Sequence, residues 1–122
     1  MTFRPRLLRA TAGLLATVWL AAAVTTVAPA AAAGSAHAVT MANYAFAPAA
    51  LTVHVGDTVT WTNTDQAPHN VVTTSGPTSI TSPTLATHQS WSFTFTTPGT
   101  YKYFCYVHPF MTGTVVVQPN SG

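Results

Sequence analysis

Charge is what this chain has least of. Six of its 122 residues are charged, and three of the four bases, Arg4, Arg6 and Arg9, crowd the first nine positions. Beyond them stand one base, Lys102, and two acids, Asp57 and Asp65, so the rest of the chain carries a net charge of −1. That leaves no basic patch to hold a phosphate backbone or an anionic membrane, which excludes nucleic-acid binding. Cysteine is almost as scarce. Cys105 stands alone, so the chain has no internal disulfide, and in an oxidising compartment its thiol is exposed to oxidation unless it is covered or bound to a metal. Long hydrophobic runs are missing too: the longest, Ala10 to Val24, has 15 residues, fewer than the roughly 20 of a spanning helix. From Val39 to Gly122 no 3.6-residue apolar period is sustained, which argues against a helical domain.

What is there begins with a leader. A positive segment from Met1 to Arg9, the apolar run and an alanine-rich stretch with small residues at A-x-A spacing have the layout of a secretory signal peptide. Both Ala31-Ala32-Ala33 and Ala36-His37-Ala38 satisfy the small-residue rule. The expected division is a leader over 1–38, cut near 33 or 38, and a domain over 39–122, with His37 on the leader side of the later cut. Arg4 and Arg6 are separated by Pro5, and no cysteine follows the leader for a lipid to modify. The expectation is general export to a periplasmic or extracellular location, with no stable membrane insertion after cleavage; retention as an anchor is the alternative.

The rest alternates with period two between turn signals. Leu51, Val53 and Val55 run into Gly56-Asp57 and then Val59 and Trp61, which reads as a hairpin with one buried face. Trp91, Phe93 and Phe95 precede a Pro98-Gly99 turn, after which Tyr101, Tyr103 and Cys105 share one parity. The thiol therefore points with the core aromatics. Met41, Tyr44 and Phe46 read as a first strand and Gly113 to Gln118 as the last. Threonine fills 18 of the 84 positions after Ala38, giving β-propensity and a wettable face without charge. Residues 73–89 lose the alternation and read as a long surface connection. The fold expected is an all-β, antiparallel Greek-key sandwich of seven or eight strands.

The chemistry is concentrated in Cys105-Tyr106-Val107-His108-Pro109-Phe110-Met111, which sets a thiolate, an imidazole and a thioether at three-residue intervals in a turn. A trigonal His₂Cys set with a weak axial Met defines an electron-transfer copper site. The missing imidazole is best supplied by His69, in Pro68-His69-Asn70-Val71, provided the fold closes a separation of 36 residues. His54 alternates with core residues and His88 lies in the polar connection, so both read as solvated.

Val55-Gly56-Asp57-Thr58-Val59-Thr60-Trp61, Pro68-His69-Asn70-Val71 and the Cys105-x-x-His108-Pro109-Phe110-Met111 loop resemble the cupredoxins, the type 1 blue copper proteins, and most of all the amicyanin and plastocyanin branch. The resemblance implies a small exported protein, not an enzyme, that carries single electrons by cycling one copper ion between Cu(II) and Cu(I). It assigns His69, Cys105, His108 and Met111 as metal ligands, with Asn70 tying the His69 segment to the Cys105 strand. His108 would be the electron portal within a docking patch of Pro109 and Phe110, and Phe104 a second route on the flank. Val107 departs from amicyanin, which has a proline there; its N–H, if aimed at the Cys105 sulfur, would raise the reduction potential. The partners implied are redox proteins, a dehydrogenase as donor and a cytochrome c or an oxidase as acceptor, meeting a monomer. The alternatives are a copper storage or delivery protein and a non-metal β-sandwich binding module.

Overall fold

In the computed structural model, residues 34–120 are described continuously, together with Thr2, Gly13, 16–19 and 21–23; most of the expected leader lies outside the described residues. The period-two segments form eight strands: β1 (Ala36–Ala42), β2 (Ala45–Ala47), β3 (Ala50–His54), β4 (Thr58–Asn63), β5 (Val72–Ser75), β6 (Ser90–Thr94), β7 (Gly99–Phe104) and β8 (Thr112–Gln118). They make two four-stranded sheets, ordered β2-β1-β4-β6 and β3-β8-β7-β5. Among the described residues no helix is long and apolar enough to cross a membrane.

Two expectations about pairing are corrected. The sheets are mixed, because β1 runs parallel to β4 and β3 parallel to β8. The Gly56-Asp57 turn does not close a hairpin: β3 belongs to one sheet and β4 to the other. Alternation marks which side chains are buried, and it cannot say from which sheet they enter the core. Val53 enters from one sheet, Val59 and Trp61 from the other, and all three are buried.

Met41, Phe46, Trp61, Phe95, Tyr101 and Tyr103 fill the interior beside the valines of β3, β4 and β8. Trp61 Nε1–H donates to the Tyr103 hydroxyl at 3.3 Å, and burial pushes that hydroxyl up to about 12. Gly113 faces the same ring across the β7–β8 pair, where any Cβ would collide with it. On the outer face of β4 and β6 the threonines form a hydroxyl ladder, Thr58–Thr94, Thr60–Ser92 and Thr62–Ser90, at 2.6–2.7 Å. A charge-poor surface is thus kept wet.

The first strand splits where Asn43 and Tyr44 both take positive φ, 52° and 59°, so that β1 and β2 form a tight hairpin. The 73–89 stretch is also not all surface. Ile80, Ser82 and Leu85 are buried, Leu85 bridges to His69, and Ser82 Oγ accepts the Val71 N–H at 2.8 Å.

At the N-terminal end, β1 already pairs with β4 from Ala36, opposite Thr58. His37, expected on the leader side, is a strand residue whose Nε2 lies 2.9 Å from Asp57 Oδ2. Asp57 is buried and also accepts the N–H groups of Ser35 and His54. Chiefly through the His54 N–H, and then through His37, its carboxyl is held down at about 2.

Candidate metal centre

Three segments meet at one end of the sandwich: the β1–β2 turn, the 64–71 stretch after β4, and the β7–β8 loop. The β7–β8 loop is closed by its own backbone. Cys105 N–H donates to the Met111 carbonyl at 3.0 Å, His108 N–H to the Cys105 carbonyl at 3.1 Å, and Met111 N–H to the His108 carbonyl at 2.9 Å. Three-residue spacing between the candidate ligands is therefore the spacing of two successive turns, which bring the Cys105 and His108 side chains together. The 64–71 stretch is held by Asn63, fully buried at the end of β4. Its Nδ2 donates to the carbonyls of Ala67 and Leu85, and its Oδ1 accepts the Asp65 N–H. The antiparallel bridge to Leu85 then fixes the His69 backbone from the other side.

His69 Nδ1, His108 Nδ1 and Cys105 Sγ converge. The nitrogens are 3.1 Å apart, and they lie 3.6 Å (His69) and 3.9 Å (His108) from the sulfur. A triangle with those sides has its circumcentre about 2.1 Å from each corner, close to the bond lengths of first-row metals to imidazole nitrogen and slightly under those to thiolate sulfur. The three residues form a group able to hold a metal ion. His69 and Cys105 are fully buried, Met111 is 1% exposed, and His108 is half-buried. One soft thiolate and two imidazoles, with a thioether in the same loop, suit copper rather than a hard cation. Thiolate and neutral imidazoles leave Cu(II) a formal charge of +1 and Cu(I) none, both tolerable in a buried site. The three converging donors all belong to the protein.

Asn70 Oδ1 accepts the Tyr106 N–H at 2.7 Å, and the Asn70 backbone N–H points at Cys105 Sγ at 3.4 Å. The amide that reaches the sulfur is therefore that of Asn70, and the Val107 N–H is not among its donors. Val107, Pro109 and Phe110 are exposed. Phe104 is half-buried and lines a groove of about 520 Å³ with Lys102, Pro109 and Thr112 on the flank of the second sheet. His54 and His88 are exposed and away from the cluster.

Sequence reasoning missed two residues of the site. Asp65 Oδ2 lies 2.8 Å from His69 Nε2, and the same carboxylate accepts the N–H groups of Asn43 and Tyr44 at 2.8 and 2.9 Å. The Tyr44 N–H, with the His69 and Asn43 bonds, keeps the Asp65 carboxyl below its usual range against the burial that pushes it up. The Tyr44 ring packs edge-on against both imidazoles, at 5.4 Å from His69 and 4.9 Å from His108, and leans on Phe110 at 6.2 Å. An acid four residues before the ligand histidine was a usable signal for Asp65. Tyr44 had none, because its position depends on the hairpin turn.

Comparison with known proteins adds an independent observation: the model of the cupredoxin-like domain matches residues 13–117. The chain belongs to the cupredoxin family. Among curated cupredoxins it is 42% identical over 112 residues to amicyanin-alpha of Methylorubrum extorquens, covering 89% of this chain and 93% of that one. It is 48% identical over 71 residues to the amicyanin of Paracoccus denitrificans, covering 56% of this chain and 54% of that protein. Among solved structures, a Cu(I) amicyanin with a methionine-to-alanine substitution superposes with a TM-score of 0.64 at 42% identity, over 68% of this chain and 82% of that one. A copper-containing nitrite reductase from Thermus scotoductus SA-01 matches at 32% identity with a TM-score of 0.65, over 69% of this chain but 22% of the enzyme. In this cupredoxin the buried His-Cys-His cluster is that of a type 1 copper site, which makes the protein an electron carrier rather than a catalyst.

Proposed function

We propose that this cupredoxin is exported, matures by cleavage after Ala33, and carries single electrons between redox proteins at a copper ion that His69, Cys105, His108 and Met111 would hold. When bound, the copper supplies the one-electron Cu(II)/Cu(I) couple. The single observation that carries this reading is the convergence of two Nδ1 atoms and one thiol sulfur in a mostly buried triangle. Cys105 and His69 enter from two different loops, each fixed by its own backbone hydrogen bonds, so the donors are placed by the protein rather than by the metal. The Met111 backbone, bonded to Cys105 and His108, keeps the thioether within the same loop.

His108 is the half-buried ligand and borders Pro109 and Phe110. With Tyr44, Val107 and Phe110 exposed around it, the site end offers an apolar docking surface. A dehydrogenase donor and a cytochrome c or oxidase acceptor suit such a surface, met by a monomer. Cleavage after Ala33 suits the fold because it leaves β1 whole from Ala36, whereas cleavage after Ala38 removes three of its seven residues and the His37–Asp57 contact.

Stopped-flow electron exchange with the physiological partner tests the docking reading. The Pro109→Ser, Phe110→Ser double variant keeps its blue spectrum and loses about tenfold or more in rate constant. An unchanged rate constant places the partner elsewhere.

A further inference from the structure

Asp65 is one of two acids in the chain, and it joins two segments of the metal centre, the β1–β2 turn and the 64–71 stretch. Its Oδ1 accepts the Asn43 N–H, and its Oδ2 accepts the Tyr44 N–H and faces His69 Nε2 at 2.8 Å. A carboxylate only accepts, so the ring proton of His69 is placed on Nε2 and the Nδ1 lone pair is turned toward Cys105 and His108. The side chain of Asp65 is 15% exposed and that of His69 0% exposed, so water competes little for this bond. The same carboxylate sets the β1–β2 turn, whose Tyr44 ring lies edge-on to both imidazoles. One group thus orients the buried imidazole and seats the ring that covers it.

We infer that Asp65 is the positioning residue of the metal centre, fixing the tautomer and orientation of His69 and biasing the couple toward Cu(II). The inference rests on the copper reading above. The bias has a definite sign. A negative charge hydrogen-bonded to a ligand ring makes that imidazole a better donor and stabilises the more positive metal state, so it lowers the reduction potential. Asp65→Asn keeps an acceptor oxygen and a similar shape but loses the charge; Asp65→Glu keeps the charge on a longer arm.

The experiment is voltammetry of the copper-loaded protein and these two variants, with melting temperature and visible spectrum as controls. It is paired with the hydrogen-exchange rate of the His69 Nε2–H in the diamagnetic Cu(I) form. Asp65→Asn lowers the Cu(II)-to-Cu(I) affinity ratio about tenfold, which for one electron is a rise of about 59 mV. It also speeds Nε2–H exchange while the blue band persists, and Asp65→Glu recovers part of both. A merely structural role would lower the melting temperature of Asp65→Asn and leave potential and exchange at the wild-type values, and that result overturns the inference. A wild type that takes up copper without any blue band overturns the copper reading itself, and this inference with it.

Discussion

Asn70 ties two loops together from both of its ends: its side-chain oxygen takes the N–H of Tyr106 at 2.7 Å, while its own N–H points at the Cys105 sulfur at 3.4 Å. The residue is 8% exposed, so a lost bond there is not replaced by water without cost. Asn70→Ala removes the acceptor of the Tyr106 N–H and costs about 0.5–1.5 kcal/mol of stability. Chemical denaturation of the copper-loaded protein checks this, together with faster copper loss to a chelator. Unchanged values for both would mean that the two loops are held by something else.

Acid sensitivity follows from Asp57. Its folded value is about 2 against 3.8 unfolded, so it contributes stability that is fully present above about pH 4 and is lost as pH falls toward 2. Asp57→Asn is less stable than wild type at neutral pH, and its stability declines less steeply across that window. Urea midpoints measured between pH 5 and pH 2 check both statements. Asp65, also held low, leaves a residual slope in the variant.

The N-terminal boundary is testable by mass. Ser35 N–H bonds to Asp57, and the Thr58 N–H bonds to the Ser35 carbonyl at 3.0 Å, so the strand is engaged before Ala36. The exported protein begins at Gly34, and a chain started at Val39 melts lower because buried Asp57 loses two of its three partners. Intact mass of the secreted protein, with melting curves of both forms, decides this. A native start at Val39 with full stability contradicts it.

The partner reaction depends little on salt. Beyond Arg9 the chain has one base and two acids, and both acids are engaged in hydrogen bonds. With so few charges to steer encounter, the bimolecular rate constant varies shallowly with ionic strength. A steep dependence in stopped-flow measurements would count against apolar docking.

Much of this was legible in the residues. Alternation named the faces of Val53, Trp61, Tyr103 and Cys105, and the Cys105–Met111 spacing named the metal. Pairing was less legible, because residues 51–61 alternate in the same way whether they form a hairpin or step between sheets. Residues 73–89 read as surface by composition, yet the two isolated apolar residues Ile80 and Leu85 in that Ser/Thr/Pro stretch turn inward. Tyr44 could not be found from sequence. Its contact with the imidazoles comes from two successive positive φ values that fold β2 back beside β1.

The central claim is tested most directly by the visible and EPR spectra of the mature protein loaded with Cu(II), beside those of Cys105→Ser. The account predicts an intense blue band with narrow copper hyperfine splitting in the wild type, both absent from the variant. A colourless protein whose Cys105 thiol stays free after copper is added would contradict it.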